Sequence, residues 1–287
     1  MGNKMYKRVK DFDELTISDD FMFGIIMRDP ALCKPFLERI LNIPIRKIEY
    51  PESQKVIDIT ADAKSVRLDI YVEDDTHKVY NIEMQTSSNR NLPKRTRYYQ
   101  AMIDLNNLEK GEDYQNLCPS IIIFVCRFDP FGKDHYLYTF ENMCQQLPEL
   151  KLNDQTRKIF VNTKGGRGII TPEQRALFEF IDHGKLSDSY TQELNQAVNR
   201  TKANEKWRRD YMTYALKLRE EYSEGRAEGR AEGRAEGRAE GRAEGRTEGK
   251  IETLIELVED GFISTEEAAS RLNISVSEFR KLMKKDK

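Results

Sequence analysis

The stretch VRLDIYVEDDTHKVYNIEMQ, residues 66–85, alternates apolar and polar residues along both of its halves. A period of two is typical of β-strands, whose successive side chains point to opposite faces. Between the halves, Asp74 and Asp75 open a polar run that suits a turn. The stretch therefore predicts two antiparallel strands joined by a hairpin loop.

The predicted hairpin brings two carboxylates together on its polar, solvent-facing side. If the strands pair symmetrically about Thr76, Asp69 lies opposite Glu83, with β-carbons about 4.5–5.5 Å apart. Two carboxylates this close repel each other unless a positive charge lies between them. A divalent cation would supply that charge, and Gln85 shares the same face. The pattern predicts a metal site.

Composition sets few limits on function. The chain has 287 residues, of which 33% are charged, and its formal net charge is −2, so global charge neither predicts nor excludes a polyanionic partner. The four cysteines form no CxxC pair and are expected to be reduced, buried and small apolar residues: Cys33, Cys118, Cys126 and Cys144. Without an apolar signal core or a run of about 18 apolar residues, the sequence predicts a soluble, cytoplasmic protein.

The chain after the hairpin predicts a basic helix. Pro93 suits the first helical position and Gly111 the C′ position of a helix over residues 94–110. Residues 86–100 contain no acids, and their basic and aromatic side chains are Arg90, Lys94, Arg95, Arg97, Tyr98 and Tyr99. These could contact DNA phosphates and stack on bases, or they could form a solvated helix face with core tyrosines.

The remaining elements predict an α/β fold with a mixed central β-sheet flanked by helices. Two helices, over residues 18–29 and 31–41, and a short strand over 45–50 precede the hairpin. The run SIIIFVCRF, residues 120–128, predicts a central strand covered on both faces. Further strands are expected at 135–140 and 158–162. From Thr171 onward the chain predicts an all-helical C-terminal region.

An internal repeat occupies residues 224–250, as five EGRA units followed by EGRT and EGK. On an α-helix this spacing places glutamates in one stripe and arginines in another nearly opposite, with like charges at i and i+4. Each unit also contains a glycine, which destabilises a helix by about 1 kcal/mol relative to alanine. The repeat is therefore either a flexible spacer or a segment that forms a helical bundle between several chains, which would make the protein a homo-oligomer.

The tail, residues 251–287, resembles a helix-turn-helix. Two capping boxes, Ser264 with Glu267 and Ser275 with Glu278, predict helices over 265–272 and 276–285. The expected core is Ala268, Ala269, Leu272, Ile274, Phe279 and Leu282. The unit could read DNA, or it could serve as an oligomerisation or docking cap.

Several motifs in order give residues 12–165 a family resemblance. SDDFMFG precedes the hairpin, DIYVEDD and YNIEMQ lie in its two strands, KRTRYYQ and GEDYQNL follow it, and an apolar strand comes after Pro119. Together they resemble the PD-(D/E)XK nuclease superfamily, specifically the bacterial nuclease-family transposases that include the recombination-promoting nucleases. The resemblance implies a restriction-endonuclease-like core within a nuclease domain over residues 1–170. A helical extension, 171–223, the repeat, 224–250, and the tail, 251–287, follow.

The same resemblance implies a metal-dependent DNA endonuclease. Asp69 and Glu83 would bind Mg²⁺, or another divalent ion such as Mn²⁺ or Ca²⁺, and Gln85 stands where the superfamily usually has lysine. Lys94 or Arg95 is expected to supply the missing positive charge. Asp20, or Asp19, is a candidate outer metal ligand, although acids also favour the first turn of a helix for ordinary reasons. The alternative is a catalytically degenerate DNA-binding or oligomeric regulatory protein.

Overall fold

The computed structural model describes residues 9–50, 56–57, 66–67, 70–88 and 91–285. Within these residues the chain forms eight α-helices: α1 (Asp20–Ile26), α2 (Pro30–Leu41), α3 (Leu92–Asn107), α4 (Pro172–His183), α5 (Ser189–Lys202), α6 (Glu205–Glu259), α7 (Thr265–Leu272) and α8 (Val276–Lys285). The same residues form eight strands: β1 (Ile48–Glu49), β2 (Val56–Ile57), β3 (Val66–Arg67), β4 (Ile70–Asp74), β5 (Val79–Gln85), β6 (Ser120–Cys126), β7 (Leu137–Phe140) and β8 (Thr156–Asn162).

Six of these strands form one mixed sheet in the order β1-β4-β5-β6-β8-β7. Strand β6 runs parallel to both of its neighbours, β5 and β8, whereas the outer pairings are antiparallel. All seven residues of β6 are buried, as expected for a parallel strand covered on both faces. Helices flank the sheet, and the fold is restriction-endonuclease-like, which confirms the α/β class and the central strand that the sequence predicts.

The hairpin pairs in the predicted register. Ile70 lies opposite Ile82 and Val72 opposite Tyr80, so the pairing is symmetric about Thr76. At the turn, the backbone N–H of His77 donates to the carbonyl of Asp74 at 3.0 Å, and His77 takes a left-handed backbone conformation with φ of 60°. The Asp74 carboxylate accepts hydrogen bonds from the Thr76 hydroxyl at 2.6 Å and the Tyr80 hydroxyl at 2.7 Å. These bonds fix the loop from within the hairpin.

The first two helices begin slightly off their predicted positions. Asp19, rather than Ser18, is the N-cap of α1, and Ser18 is fully buried. Asp29 caps α2 by accepting from the backbone N–H of Ala31 at 2.9 Å, and Pro30 occupies the first helical position. A proline there needs no hydrogen-bond donor, so Asp29-Pro30 begins α2, whereas α1 ends earlier than predicted, at Ile26.

Helix α3 begins and ends earlier than the sequence predicts. It starts at Leu92 with Asn91 as its N-cap and ends at Asn107, so Gly111 lies in the following loop with φ of 96°. Its apolar face packs on the sheet, and Leu92, Met102 and Ile103 are buried there beside Phe124 of β6. The position of this helix decides what covers the polar face of β5.

The chain divides into two compact units, Met1–Tyr214 and Ala215–Lys287. In the second unit, α7 and α8 have the predicted bounds, and the six expected core residues all belong to one apolar cluster with Leu254 and Ile255. Helix α6 continues through the repeat and into the tail, where it ends at Glu259.

Two of the four cysteines are buried as expected. Burial raises the pKa of Cys33 and of Cys126 to about 12 in each case. Cys118 and Cys144 are only half-buried, so the expectation was wrong for these two because both lie in loops outside the central strands. Among the described residues, none of the helices combines the length and apolar character needed to cross a membrane.

Candidate metal site and nucleic-acid interface

The candidate site is built on one face of β5. Because strand side chains alternate, Asn81, Glu83 and Gln85 share this face, and Tyr80, Ile82 and Met84 share the other. On the neighbouring strand β6, Phe124 lies opposite Glu83 and Cys126 lies opposite Gln85. The polar side chains therefore lie within a largely apolar sheet.

This face is buried, which corrects the expectation of a solvent-facing surface. Glu83 is 2% exposed and Asn81 0%, whereas Gln85 at the end of the strand is half-buried. The cause is α3, which covers this side of the sheet with Leu92, Tyr99 and Met102. A carboxylate in such surroundings needs a cation or hydrogen-bond donors to compensate for its lost hydration.

Arg95 of α3 supplies a cation to Glu83 and also contacts Gln85. Its Nη2 donates to Glu83 Oε2 at 3.1 Å, and its Nη1 donates to Gln85 Oε1 at 3.0 Å. The planar guanidinium fork allows one side chain to reach both oxygens. Lys94, the other candidate for this charge, is exposed. Of Lys94 and Arg95, it is therefore Arg95 that contacts the side chains of the predicted site.

Aromatic rings hold the guanidinium of Arg95 in place. Its Nε and Nη2 donate to the Tyr99 hydroxyl at 3.2 and 2.7 Å, and its Cζ lies 5.3 and 5.2 Å from the ring centres of Tyr99 and Phe124. Tyr99 is only 7% exposed and stacks on Phe124. This ring packs in the core and supports Arg95, which agrees with the alternative of core tyrosines rather than with base stacking by Tyr99.

Asn81 was missed as a site residue by the sequence reasoning. Its Nδ2 donates to Glu83 Oε1 at 3.5 Å, and its Oδ1 is buried with no hydrogen-bond partner among the described residues. The signal that could have found it is its position two residues before Glu83, which places both side chains on the same strand face. A buried polar atom without a partner is uncommon and points to a site that is completed by another group.

The side chains on this face fit a hard divalent cation. Such ions bind carboxylate and amide oxygens, and Glu83 Oε2 and Gln85 Oε1 are close enough to contact one guanidinium. A single positive charge can therefore serve both oxygens. Among the described residues no group of three His, Cys, Asp or Glu side chains is arranged to hold a metal. Asp69, the predicted partner of Glu83, lies outside the described residues.

The two acids at the start of α1 have different surroundings. Asp19 accepts from Lys10 Nζ at 2.8 Å and from the backbone N–H of Thr16 at 2.8 Å, so hydrogen bonds within its own segment engage its carboxylate. Asp20 is exposed at the first helical position. A carboxylate at this position interacts favourably with the partial positive charge of the helix N-terminus. This interaction explains an acid at position 20 without a metal. Its role as an outer ligand stays a prediction.

Helix α3 has a second, exposed face. Lys94, Arg97 and Tyr98 are spaced at i, i+3 and i+4 and therefore lie side by side, and Tyr98 is 39% exposed. Arg95 and Tyr99 lie on the site face instead. Arg90 lies outside the described residues. The predicted DNA-binding set is thus split into a group that holds Glu83 and a group that faces solvent.

The comparison with known families agrees with this architecture. A family model described as PD-(D/E)XK nuclease family transposase matches residues 21–165, just over half of the chain. The chain belongs to this family. Comparisons with curated proteins and with solved structures gave no match.

Membership of the PD-(D/E)XK nuclease family transposases gives the β4–β5 hairpin its context. The matched residues include both hairpin strands, α3 and the central strand β6. They end before α4, so neither the repeat nor the helical tail is part of the match. The family indicates a nuclease-type protein, and nucleases of this superfamily generally use divalent metal ions.

Proposed function

We propose that this protein is a metal-dependent DNA endonuclease that hydrolyses phosphodiester bonds. The observation that carries the proposal is the buried Glu83 carboxylate, which shares one strand face with Gln85 and Asn81 beneath a basic helix. A structural strand gains little from a buried acid, because its charge must be compensated. In a nuclease family this acid has a chemical use.

Asp69 and Glu83 would hold the ion, which we propose to be Mg²⁺, with Mn²⁺ and Ca²⁺ as the other candidates and Asp20 as an outer ligand. Asp69 directly precedes Ile70, whose pairing with Ile82 has the register that the proposal requires. When bound, such an ion would lower the pKa of a coordinated water and polarise the scissile phosphate. Gln85 would orient the attacking water through its amide, since an amide cannot accept the proton as a base.

Arg95 would supply the positive charge that lysine usually provides in this superfamily. Its guanidinium contacts both Glu83 and Gln85, and a guanidinium stays protonated in proteins. It therefore cannot act as a general base and would serve to neutralise negative charge that develops on the phosphate. Lys94, Arg97 and Tyr98, with Arg90, would contact the DNA backbone and bases from the exposed side of α3.

A plasmid-cleavage assay tests the endonuclease. Purified protein is incubated with supercoiled DNA and Mg²⁺, Mn²⁺ or Ca²⁺, beside the variants Asp69→Ala and Glu83→Gln. We expect nicking or linearisation by the wild type with at least one ion and a loss of at least a hundredfold in both variants. Asp75→Ala in the exposed hairpin turn is the matched control and should retain activity. Two outcomes contradict the proposal: both site variants still cleave the DNA, or the wild type cleaves it with none of the three ions.

The alternative is a catalytically degenerate protein that binds DNA or assembles in a regulatory complex. The observation that favours it is that Arg95 contacts the oxygens of Glu83 and Gln85 that a metal would need. An electrophoretic mobility assay separates the two cases. Retarded DNA without cleavage under any ion supports the alternative, and the retardation should weaken in a Lys94→Ala, Arg97→Ala double variant. We also propose that the protein acts in recombination, mobile DNA or defence, whether it cleaves DNA or only binds it.

A further inference from the structure

A second group of basic side chains surrounds a pocket at the carboxyl end of β8. The pocket has a volume of about 320 Å³, and its lining includes Lys164 from the loop after β8 and Arg175 and His183 from α4. All three residues are exposed. None of them belongs to the basic face of α3 or to the side chains around Glu83. The pocket is therefore a surface separate from the candidate metal site.

Close packing fixes the walls of this pocket. Gly165 approaches Tyr136 so closely that a β-carbon at position 165 would lie 2.6 Å from the Tyr136 backbone nitrogen. Arg175 Nη1 donates to the Tyr136 hydroxyl at 3.4 Å, and its Cζ lies 5.8 Å from the centre of that ring. The same ring stacks on the buried Phe178 of α4. The loop after β8 and α4 are thus packed against a common residue, which holds their basic side chains around one space.

The buried carboxylate of Asp182 does not cancel the positive charge of the pocket. Its Oδ1 accepts from Arg127 Nε at 3.1 Å, and its Oδ2 lies 3.0 Å from His183 Nε2. Lys164 Nζ is farther away, 3.8 Å from Oδ1, and the lysine side chain is 55% exposed. Because Arg127 already neutralises Asp182, the charge of Lys164 is available to a ligand.

The other carboxylate of the lining, Glu179, is neutralised in the same way. Its Oε2 accepts from Lys185 Nζ at 2.7 Å. Arg175 forms no ion pair among the residues that the structure describes, and its guanidinium is held by Tyr136 instead. Lys164 and Arg175 therefore give the pocket a net positive charge. Guanidinium and ammonium groups together suit a phosphate, which offers several acceptor oxygens.

The pocket lies at the same edge of the sheet as the candidate metal site. Strands β5, β6 and β8 are parallel neighbours, and Gln85, Cys126 and Asn162 lie side by side at their carboxyl ends. A strand spacing of about 4.8 Å places Gln85 and Asn162 about 10 Å apart, and Lys164 follows Asn162 by two residues. Duplex DNA carries one phosphate charge per about 1.7 Å of its axis. DNA that reaches Gln85 therefore presents several phosphates along this edge.

We propose that the pocket between Lys164 and Arg175 binds backbone phosphates of the DNA that reaches the candidate metal site. This proposal rests on the proposed DNA endonuclease function and gives the protein a second DNA contact besides α3. Phosphate contacts fix the position and orientation of a duplex but do not read its sequence. The pocket thus holds the DNA across the sheet edge while the side chains around Glu83 act on it.

The salt dependence of DNA binding tests the pocket in the full-length protein. Fluorescence anisotropy measures the affinity for a labelled duplex in EDTA, which prevents cleavage, between about 50 and 200 mM salt. Each phosphate contact adds about 0.9 to the slope of log affinity against log salt concentration. We expect the double variant Lys164→Ala, Arg175→Ala to bind about tenfold more weakly and to lower the slope by about 1.8. Each single variant should lower it by about 0.9.

A matched control removes one lysine and one arginine near the other end of β8. Lys151 and Arg157 are both exposed and both contact Glu141, so Lys151→Ala, Arg157→Ala changes the net charge by the same amount. This variant should keep the wild-type slope. Equal slopes in the two double variants overturn the proposal, because the pocket then contributes nothing beyond net charge. The single variants apply the same test if the double variant of the pocket does not fold.

Titration calorimetry with inorganic phosphate distinguishes DNA from a small phosphate compound. A dissociation constant in the micromolar range that Lys164→Ala abolishes overturns the proposal, because the pocket then binds a free anion. Weak binding, in the millimolar range or beyond, supports a site that holds DNA phosphates through the whole duplex.

The outcomes for the pocket and for the nuclease function are separate. A protein that cleaves no DNA with any ion, but whose binding slope depends on Lys164 and Arg175, supports the pocket and contradicts only the endonuclease. A protein that cleaves DNA, but whose pocket variants keep the wild-type slope, overturns only the pocket. Absence of any DNA binding by the wild type overturns both.

Discussion

Arg95 is the residue whose position most changes how the candidate site is understood. The sequence leaves Lys94 and Arg95 as equal candidates for a positive charge, and they differ by one step on a helix. One step is about 100° of rotation, so neighbouring residues face different surroundings. Packing of Leu92 and Met102 on the sheet fixes the rotation of α3 and directs Arg95 to Glu83.

Replacing Arg95 with alanine should destabilise the metal-free protein. Glu83 is 2% exposed and would lose its ion pair with Arg95, so we expect a loss of about 1–3 kcal/mol in the free energy of unfolding. Urea denaturation in the presence of EDTA measures it. Lys94→Ala, on the exposed face of the same helical turn, should change stability by less than about 0.5 kcal/mol. An equal effect of the two substitutions would mean that Arg95 does not compensate Glu83.

At the scale of elements, the hairpin is held by its turn as well as by its strands. Burial raises the pKa of Asp74, but hydrogen bonds from Thr76, Tyr80 and the backbone N–H of Lys78 outweigh that effect, so the pKa lies below its usual value. A lowered folded-state pKa means that ionised Asp74 stabilises the fold above its unfolded-state pKa of about 4. This stabilisation is lost as the pH falls through the folded-state pKa.

Asp74→Asn should therefore destabilise the protein at pH 7 more than at pH 3. We expect about 1–2 kcal/mol at pH 7, because the amide replaces a charged acceptor of several hydrogen bonds, and a smaller difference from wild type at pH 3. Urea unfolding at both pH values provides the comparison. Asp75→Asn, at the exposed neighbouring position, serves as the control and should change the free energy of unfolding by less than about 0.5 kcal/mol at pH 7. A deficit for Asp74→Asn that does not shrink in acid contradicts this account of the turn.

At the scale of the molecule, the proposed metal binding would be coupled to folding. An ion that binds the folded chain only stabilises it, by about 2.7 kcal/mol when its concentration is a hundred times the dissociation constant. If Asp69 and Glu83 hold a divalent ion, Ca²⁺ or Mg²⁺ should raise the unfolding temperature of the wild type by several degrees. Glu83→Gln should abolish this rise, because it removes the charge while keeping the shape of the side chain.

Differential scanning calorimetry with and without the ion measures the effect. Asp75→Ala is again the control and should respond like the wild type. This experiment is independent of cleavage, so it also detects a metal site in a protein that has lost its activity. A rise of the same size in wild type and Glu83→Gln would place the ion elsewhere.

The sequence by itself determined the local features of this protein. Alternation with period two specified the hairpin and its register, a β-branched run specified the central strand, and capping residues specified α7 and α8. Each of these signals is contained in a short stretch of sequence, either one or two strands or the first turn of a helix. A short stretch of sequence is therefore sufficient to predict them.

The tertiary structure decided what lies above the polar face of β5. Period two tells which residues share a face, but it does not tell whether water or a helix covers them. Packing of α3 buried Glu83, chose Arg95 over Lys94 and turned Tyr99 into a core residue. These outcomes depend on contacts between segments far apart in the chain, and local propensities carry no information about them.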